Sequence, residues 1–241
     1  MARKTTSRKR KTTAKTPARR GRRFAPGRWL VRGLWSFALA LVLMVAAYAV
    51  LTPPTTPYIL SEGLRLRSVE RIWVPFERIA PVVARSVVAA EDANFCLHWG
   101  VDMNALRDAI SEGGQRGGST VTQQTVKNLY LWQGRSWPRK ALEGLMTPLA
   151  ELFWSKRRIV ELYLNVAEFD EGVFGIEAAA RHHFGVGASE LTARQAALLA
   201  AVLPNPRERS ASKPSDAVQK RARAIEDGAA TIERDGRADC F

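Results

Sequence analysis

The apolar positions of this chain fall into two regimes. From Gly33 to Leu51, nineteen consecutive residues (GLWSFALALVLMVAAYAVL) carry no charge. At ~1.5 Å rise per residue, such a run nearly crosses a hydrocarbon layer of ~30 Å. Trp29 and Trp35 lie toward one end, and Tyr48 and Tyr58 toward the other, as interfacial aromatics do. A buried core helix rarely runs this long without a polar face. A cleaved signal peptide has a shorter apolar core, although Ala46, Ala47 and Ala49 would suit its cleavage site. The pattern predicts a transmembrane helix over 33–51.

After Pro81 the apolar residues recur at helical spacing instead. Val82, Val83, Ser86, Val87 and Ala90 predict a helix that opens on Pro81 and delivers Glu91 at its end. A second helix is expected over Met103–Ser111, followed by a flexible, glycine-rich loop at Gly113–Gly118. Thr120 and Gln123 form a capping box, so a helix should start near Val121 with Gln123 and Lys127 on one face and Gln124 and Asn128 on the next. Ser136 or Trp137, with Pro138, opens another helix, on which Arg139 and Glu143 are four apart and Pro148 predicts a kink. Ser155 caps a helix bearing Ile159, Leu162, Tyr163 and Val166 on one stripe. Gly172 and Gly175 mark a turn, Thr192 and Gln195 form a second capping box, and a polar helix covers 215–234. No strand alternation of any length follows Pro81. The expected fold is mainly α, without internal repeat or heptads. Ahead of it, Thr52–Pro57 reads as a stiff spacer, and Ile72-Trp73-Val74 as either a short strand or the lead-in to the fold.

Charge sharpens this division. The formal net charge is +14, which invites a nucleic-acid reading. Residues 1–61, however, hold thirteen Lys and Arg and no acid, while the rest carries 24 basic and 23 acidic residues. The near-neutral remainder removes most of the case for a DNA-binding domain. Residues 1–28 are too polar to bury a core and should be disordered; a nucleic-acid arm is the alternative use for them. All thirteen cations precede the apolar span, so the positive-inside rule puts the N-terminus in the cytoplasm and everything after Leu51 outside. The organisation expected is a basic tail (1–32), a transmembrane helix (33–51), a linker (52–68) and a domain (69–241).

The candidate chemistry lies between Ala84 and Glu143. Glu91 and Asp92 with His98 form an acidic cluster whose bland reading is a helix-end carboxylate pair. Lys127, Arg135, Arg139 and Lys140 are four cations without an intervening acid, whose bland reading is a solvated basic face. Glu143 reads equally as a surface pair with Arg139, worth a few tenths of a kcal/mol. His182 and His183 suggest a metal, but adjacent side chains on a helix point ~100° apart, which argues against chelation. Asn165, within an apolar helical run, is expected to hydrogen-bond inside the core.

In these residues the chain resembles the monofunctional peptidoglycan glycosyltransferases, the family 51 enzymes related to the N-terminal modules of class A penicillin-binding proteins. The resemblance rests on five blocks in order: EDANFCLHWG, GGSTVTQQTVKNLYL, RSWPRKALE, KRRIVELYLN and GVFGIEAAARHHFG. It covers about Val69 to Pro206. Two departures, Cys96 and His183 (where Tyr is common), fall on no residue expected to do chemistry. The resemblance implies a lysozyme-like fold with a head and a membrane-proximal jaw. It implies polymerisation of lipid II by attack of an acceptor 4-hydroxyl on the donor sugar, with inversion to a β-1,4 link and release of undecaprenyl pyrophosphate.

The resemblance also assigns roles. Glu91 matches the general base, and a place beside an apolar helix would raise its pKa. Lys127 and Arg135 match the phosphate contacts, with Arg139 and Lys140 as further cations, since a pyrophosphate leaving group needs charge neutralisation. Ser119, Gln123 and Gln124 match cleft-lining positions, and Asp92 a support for Glu91 or a cap for the next segment. Glu143 matches the second glutamate, which would either hold a divalent cation (Mg or Mn) at the pyrophosphate or hold the basic residues in place. No organic cofactor is implied. The implied partners are lipid II, the nascent strand, membrane lipid and other wall-synthesis or division proteins, and no nucleic acid. The implied site is the outer face of a bacterial cytoplasmic membrane, with the apolar residues of 129–137 and 145–154 as candidates for lipid contact. Cys96 and Cys240 both fall outside the membrane, where an even cysteine count suggests a disulfide. The chain continues only about 35 residues beyond Pro206, so no transpeptidase domain is expected. Two other readings stand beside this one: a lysozyme-like muramidase, and a non-catalytic wall-binding protein. The cationic cluster opposes the first and the intact Glu91, Lys127 and Glu143 oppose the second.

Overall fold

The computed structural model describes residues 26–111, 118–134 and 136–241. The basic tail up to residue 25, the expected flexible loop at 113–117 and the candidate Arg135 lie outside the described residues. Residues up to Leu39 form one unit and Ala40–Phe241 another.

The first unit is described from Pro26, where α1 (Pro26–Ala47) opens. Its stretch Arg28–Ala47 has a mean hydropathy of 2.0 and is long and apolar enough to cross a membrane. The expected bounds of 33–51 therefore shift toward the N-terminus. Residues 48–50 form a turn instead of a continued helix.

In the second unit the region expected to be a linker contains a helix, α2 (Pro57–Leu66). Thr56 caps it by accepting from the Ile59 N–H at 3.2 Å, and Pro57 takes the first turn, where a missing N–H costs nothing. The helix is tied into the domain by polar contacts that no local pattern announces. Tyr58 donates to Glu168, and Arg207 reaches both Glu62 at 2.9 Å and Glu168 at 3.3 Å. The domain therefore begins before residue 69.

Helices α3 (Pro81–Glu91), α9 (Ala193–Val202) and α10 (Asp216–Arg234) pack on one another, and α5 (Val121–Tyr130) packs on α6 (Trp137–Phe153) and α7 (Lys156–Val166). Both predicted capping boxes, at Thr120/Gln123 and Thr192/Gln195, are formed. Helix α4 (Met103–Ser111) is capped by Asp102, which accepts from the N–H groups of Asn104 and Ala105 at 2.9 and 3.0 Å. Helix α6 runs on through Pro148 to Phe153.

The stretch of turns after α7 holds a small sheet that periodicity did not predict. Strands β2 (Glu168–Asp170) and β3 (Val173–Phe174) form a hairpin, and β1 (Glu70–Arg71) adds in parallel to β3. Strands of two or three residues are too short to display alternation. Gly175 shows why glycine is needed there: its φ is +85°, and a Cβ would lie 3.1 Å from the Asn165 carbonyl oxygen. Ile72-Trp73-Val74 is the lead-in and not a strand. Val74 is fastened by Asn165, whose side-chain amide accepts from the Val74 N–H at 2.8 Å and donates to the Val74 C=O at 2.9 Å. Asn165 is fully buried, so this paired bond satisfies a backbone segment that no strand completes. Helix α8 (Ile176–Phe184) follows the hairpin.

A disulfide joins Cys96 to Cys240 with Sγ–Sγ 2.06 Å across a separation of 144 residues. Beside it Phe241 packs against Phe95 at 6.1 Å between ring centroids. The C-terminus is thereby fixed next to the segment that follows Glu91.

Candidate active site

Helix α3 is apolar for a reason: Val83, Ala84, Val87 and Val88 are buried against the core. Its last residue, Glu91, emerges where that core opens into a cavity of about 240 Å³, lined by Ala90, Glu91, Asp92, Asn94, Ser119 and Thr120 among others. The Glu91 side chain is only 13% exposed. Gln124 donates to Oε2 at 2.9 Å and itself accepts from the Tyr163 hydroxyl at 3.3 Å. Oε1 is buried without a hydrogen-bond partner, with the Arg221 guanidinium 3.7 Å away. Burial pushes the Glu91 pKa above the usual carboxylate range, and Asp92 adds to this. The Gln124 bond and the charges of Arg221 and Lys127 pull the other way without cancelling it.

Asp92 is not a second base. Its Oδ2 accepts from the Val121 N–H at 3.0 Å, capping the start of α5, and its Oδ1 contacts His98 Nε2 at 2.8 Å. The segment between is pinned further. Thr120 donates to the Gly100 carbonyl at 2.6 Å, and Lys156 donates to the His98 carbonyl at 2.8 Å while lying 4.3 Å above the Phe95 ring. Buried Glu151 holds Lys156 at 2.9 Å and Thr122 at 2.6 Å. The sequence motif thus builds a rigid wall for Glu91, with Asp92 as the link between α3 and α5.

The second half of the site surrounds Glu143. This residue is 2% exposed, so the surface-pair reading fails. Arg139 donates to Oε2 at 2.7 Å and Lys140 donates to Oε1. Arg139 is largely buried and also donates to the Gly134 carbonyl at 2.8 Å. Lys140 is 44% exposed and reaches the Ser119 hydroxyl at 3.2 Å. Ser119, Ser136, Trp137, Arg139 and Lys140 line a second cavity of about 370 Å³. Ser119 lines both cavities and so marks where the two halves meet. Lys127 feels the charge of both glutamates: burial pushes its pKa down, with Arg139 and Lys140 adding to this, while Glu143 and Glu91 hold it up without cancelling it.

A divalent cation at Glu143 was expected as one of two roles. Both oxygens of the carboxylate are taken by Arg139 and Lys140. Among the described residues no cluster of three or more metal-ligating side chains includes Glu143. A lone carboxylate inside a cationic cluster does not fit a protein-held divalent ion. The arrangement is that of a carboxylate that holds basic residues in place.

The structure brings together Glu91, Ser119, Gln124, Lys127, Arg139, Lys140 and Glu143. Gln123 differs from its expected role as a cleft residue: it is buried, and its side-chain oxygen accepts from the Thr120 N–H at 3.1 Å to close the capping box. Tyr163 and Arg221 are additional members of the Glu91 environment. Tyr163 looked like one more core position on its stripe, and nothing local in α10 singled out Arg221. The two adjacent histidines also depart from expectation. Instead of splaying apart, both present Nε2 to Asp170 Oδ2, His182 at 3.7 Å and His183 at 3.5 Å.

With this geometry in view, comparison with known proteins gives its family. The family model described as Transglycosylase matches residues 60–229. The chain belongs to the transglycosylase family. All five sequence blocks lie inside the matched stretch, and the match begins within α2, in agreement with a domain that starts earlier than residue 69. A biosynthetic peptidoglycan transglycosylase of Jannaschia sp. (strain CCS1) is 64% identical over 214 residues, covering 89% of this chain and 90% of the relative. Similarly named proteins of Caulobacter vibrioides and Rhodospirillum centenum are 43% identical over 226 residues and 46% over 215. They are covered to 99% and 92% of their own lengths, and this chain to 89% and 86%. The chain is therefore an enzyme of glycosyl transfer, with the mainly α, lysozyme-like fold that the resemblance implied.

Proposed function

We propose that this enzyme polymerises lipid II into peptidoglycan strands. The acceptor 4-hydroxyl attacks C1 of the growing strand's terminal sugar and its proton passes to Glu91. The new C1–O bond forms on the face opposite the departing group, so an α-pyrophosphate becomes a β-1,4 link and undecaprenyl pyrophosphate leaves with both bonding electrons. One observation carries this reading: a buried, hydrogen-bonded Glu91 and a cluster of cations around Glu143 open on cavities that share Ser119. A base and an electrostatic sink on two sides of one site suit a displacement whose leaving group is a polyanion. Cleavage of a glycoside to an alcohol would call for a proton donor at the leaving oxygen instead.

The roles divide by how far each side chain is already committed to protein partners. Lys127 and Lys140 meet the pyrophosphate, together with Arg135 by its match to the family motif. Arg139 is committed to Gly134 and Glu143 and acts by positioning. Gln124 aims Glu91, and Ser119 with Gln124 meets sugar or phosphate oxygens. No step runs through a metal held by Glu143. The apolar stretch Arg28–Ala47 anchors the enzyme in the cytoplasmic membrane, with the basic tail inside and the catalytic domain outside, where a lipid-borne substrate is reached.

Purified full-length chain incubated with fluorescent lipid II tests this. Formation of polymer that a muramidase digests is the expected result. Absence of polymer, with Glu91→Gln indistinguishable from wild type, overturns it, and shortening of preformed glycan instead would establish a hydrolase.

A further inference from the structure

Away from the two cavities, Asp170, His182 and His183 bring three ligand atoms within 4.8 Å of one another. Asp170 ends β2 and the histidines are consecutive on α8. Helical geometry would send the two rings about 100° apart, yet their centroids lie 5.0 Å apart with planes at 86°. Each presents Nε2 to the same Asp170 Oδ2, at 3.7 and 3.5 Å. These separations are too long for good hydrogen bonds. They are close to the roughly 3.3 Å that separates ligand atoms sharing a tetrahedral ion through bonds of ~2.0–2.1 Å. We infer that Asp170, His182 and His183 form a binding site for one divalent transition-metal ion of the zinc class, which fastens α8 to the small sheet.

Three further observations support it. The His183 side chain is 1% exposed. Its Nε2 has only long contacts, 3.4 Å to the Phe169 carbonyl and 3.5 Å to Asp170 Oδ2, and its Nδ1 has no hydrogen-bond partner. A buried imidazole held only by long contacts at Nε2 is unusual, and an ion there would replace them with a short bond, Nδ1 keeping the ring proton. Secondly, His182 Nδ1 faces Glu70 Oε2 at 3.9 Å, so a carboxylate stands behind the ligand nitrogen, as outer partners of metal-bound histidines do. Thirdly, His182 and Asp170 are 40% and 29% exposed, which leaves an entry path and room for water as a fourth ligand. Two imidazoles and one carboxylate suit zinc, cobalt or nickel; magnesium and calcium favour oxygen alone. The site is independent of the proposed polymerisation, since none of its residues lines either cavity of the active site.

The test uses the full-length chain in detergent, stripped with EDTA and dialysed. Titration with Co²⁺ should develop the visible absorption of a tetrahedral or five-coordinate nitrogen–oxygen site and saturate at one equivalent. Zn²⁺ should displace it and raise Tm. Asp170→Asn and His182→Ala, both at partly exposed positions, should fold with a metal-free Tm near wild type and lose the cobalt spectrum and the zinc-induced Tm rise. Glu70→Gln should keep the spectrum but weaken affinity about tenfold. Absence of a saturable cobalt signal in the wild-type chain overturns the site. So does a signal of unchanged stoichiometry and affinity in both Asp170→Asn and His182→Ala.

Discussion

The two glutamates of the active site are both largely buried, and they are treated in opposite ways. Glu143 has a cation on each oxygen. Glu91 has one neutral amide on Oε2, and on Oε1 only a guanidinium at 3.7 Å. A carboxylate clamped by two bases is a scaffold, because its charge is already spent on its neighbours. A carboxylate desolvated with one soft partner is a reactive group, because its charged form is held at higher free energy and binds a proton more readily. The same residue type, fifty-two positions apart in one chain, is clamped in one setting and left poorly solvated in the other, which suits the support and the base of the proposed reaction.

Four substitutions would break or sharpen this contrast. Glu91→Gln should have the largest effect on activity, lowering polymer formation by about 10³-fold while the fold persists. Its stability consequence is also diagnostic. The folded-state pKa of Glu91 is raised, so its contribution to stability is fully present below the unfolded pKa and is lost as pH rises through the folded one. Near neutral pH the Gln variant should therefore melt above wild type, and the difference should vanish at acid pH in a Tm-versus-pH series. A Gln variant that melts below wild type at pH 7 would show that Glu91 is not a destabilised base.

Glu143→Ala should do the reverse. It leaves Lys140 and largely buried Arg139 without their acceptor, and removal of one partner from a buried pair costs about 3–5 kcal/mol. Urea denaturation would read this, with activity falling as the cations lose their positions. A loss below about 1 kcal/mol, as for an exposed pair, would make Glu143 a substrate-facing group after all.

Lys127→Met removes a desolvated charge and keeps the stem's volume. It should lower kcat by about 10²-fold, as loss of one preorganised charge in a polar site does, with little or no loss of stability because burial disfavours that charge. Gln124→Ala is the mildest. Its bond lowers the Glu91 pKa, so without it the acid limb of the pH–rate profile should move to higher pH, with KM for lipid II unchanged. A shift to lower pH would contradict the assignment of Glu91 as the titrating base.

Much of this was legible before any coordinates, and the reasons are local. Helices with capping boxes and apolar stripes announce themselves because their signals lie within a few residues, as at Thr120/Gln123 and Thr192/Gln195. The spacing of Glu91, Lys127 and Glu143 within recognisable blocks picked out residues that border the two adjoining cavities or lie close to the groups that do. Short elements were missed where the stabilising partner is far away. Helix α2 depends on Arg207 and Glu168, and the strands β1–β3 are too brief to show a period. Gln123 carries two readings, a capping partner by its spacing from Thr120 and a cleft residue by resemblance, and its buried bond to the Thr120 N–H fulfils the first.

By itself, the sequence determined the class: an apolar N-terminal helix behind a basic tail, a mainly helical domain, and a set of acids and cations in family order. Periodicity, caps and charge segregation are properties of neighbours along the chain, and they survive without tertiary knowledge. Only the tertiary structure decided what surrounds each charge. Whether a carboxylate is a scaffold or a base depends on which groups from α5, α6 and α10 surround it, and on how much water they exclude. Whether two adjacent histidines splay or converge depends on where β2 leaves Asp170. Desolvation and convergence are set by packing between segments remote in sequence, and no local pattern encodes them.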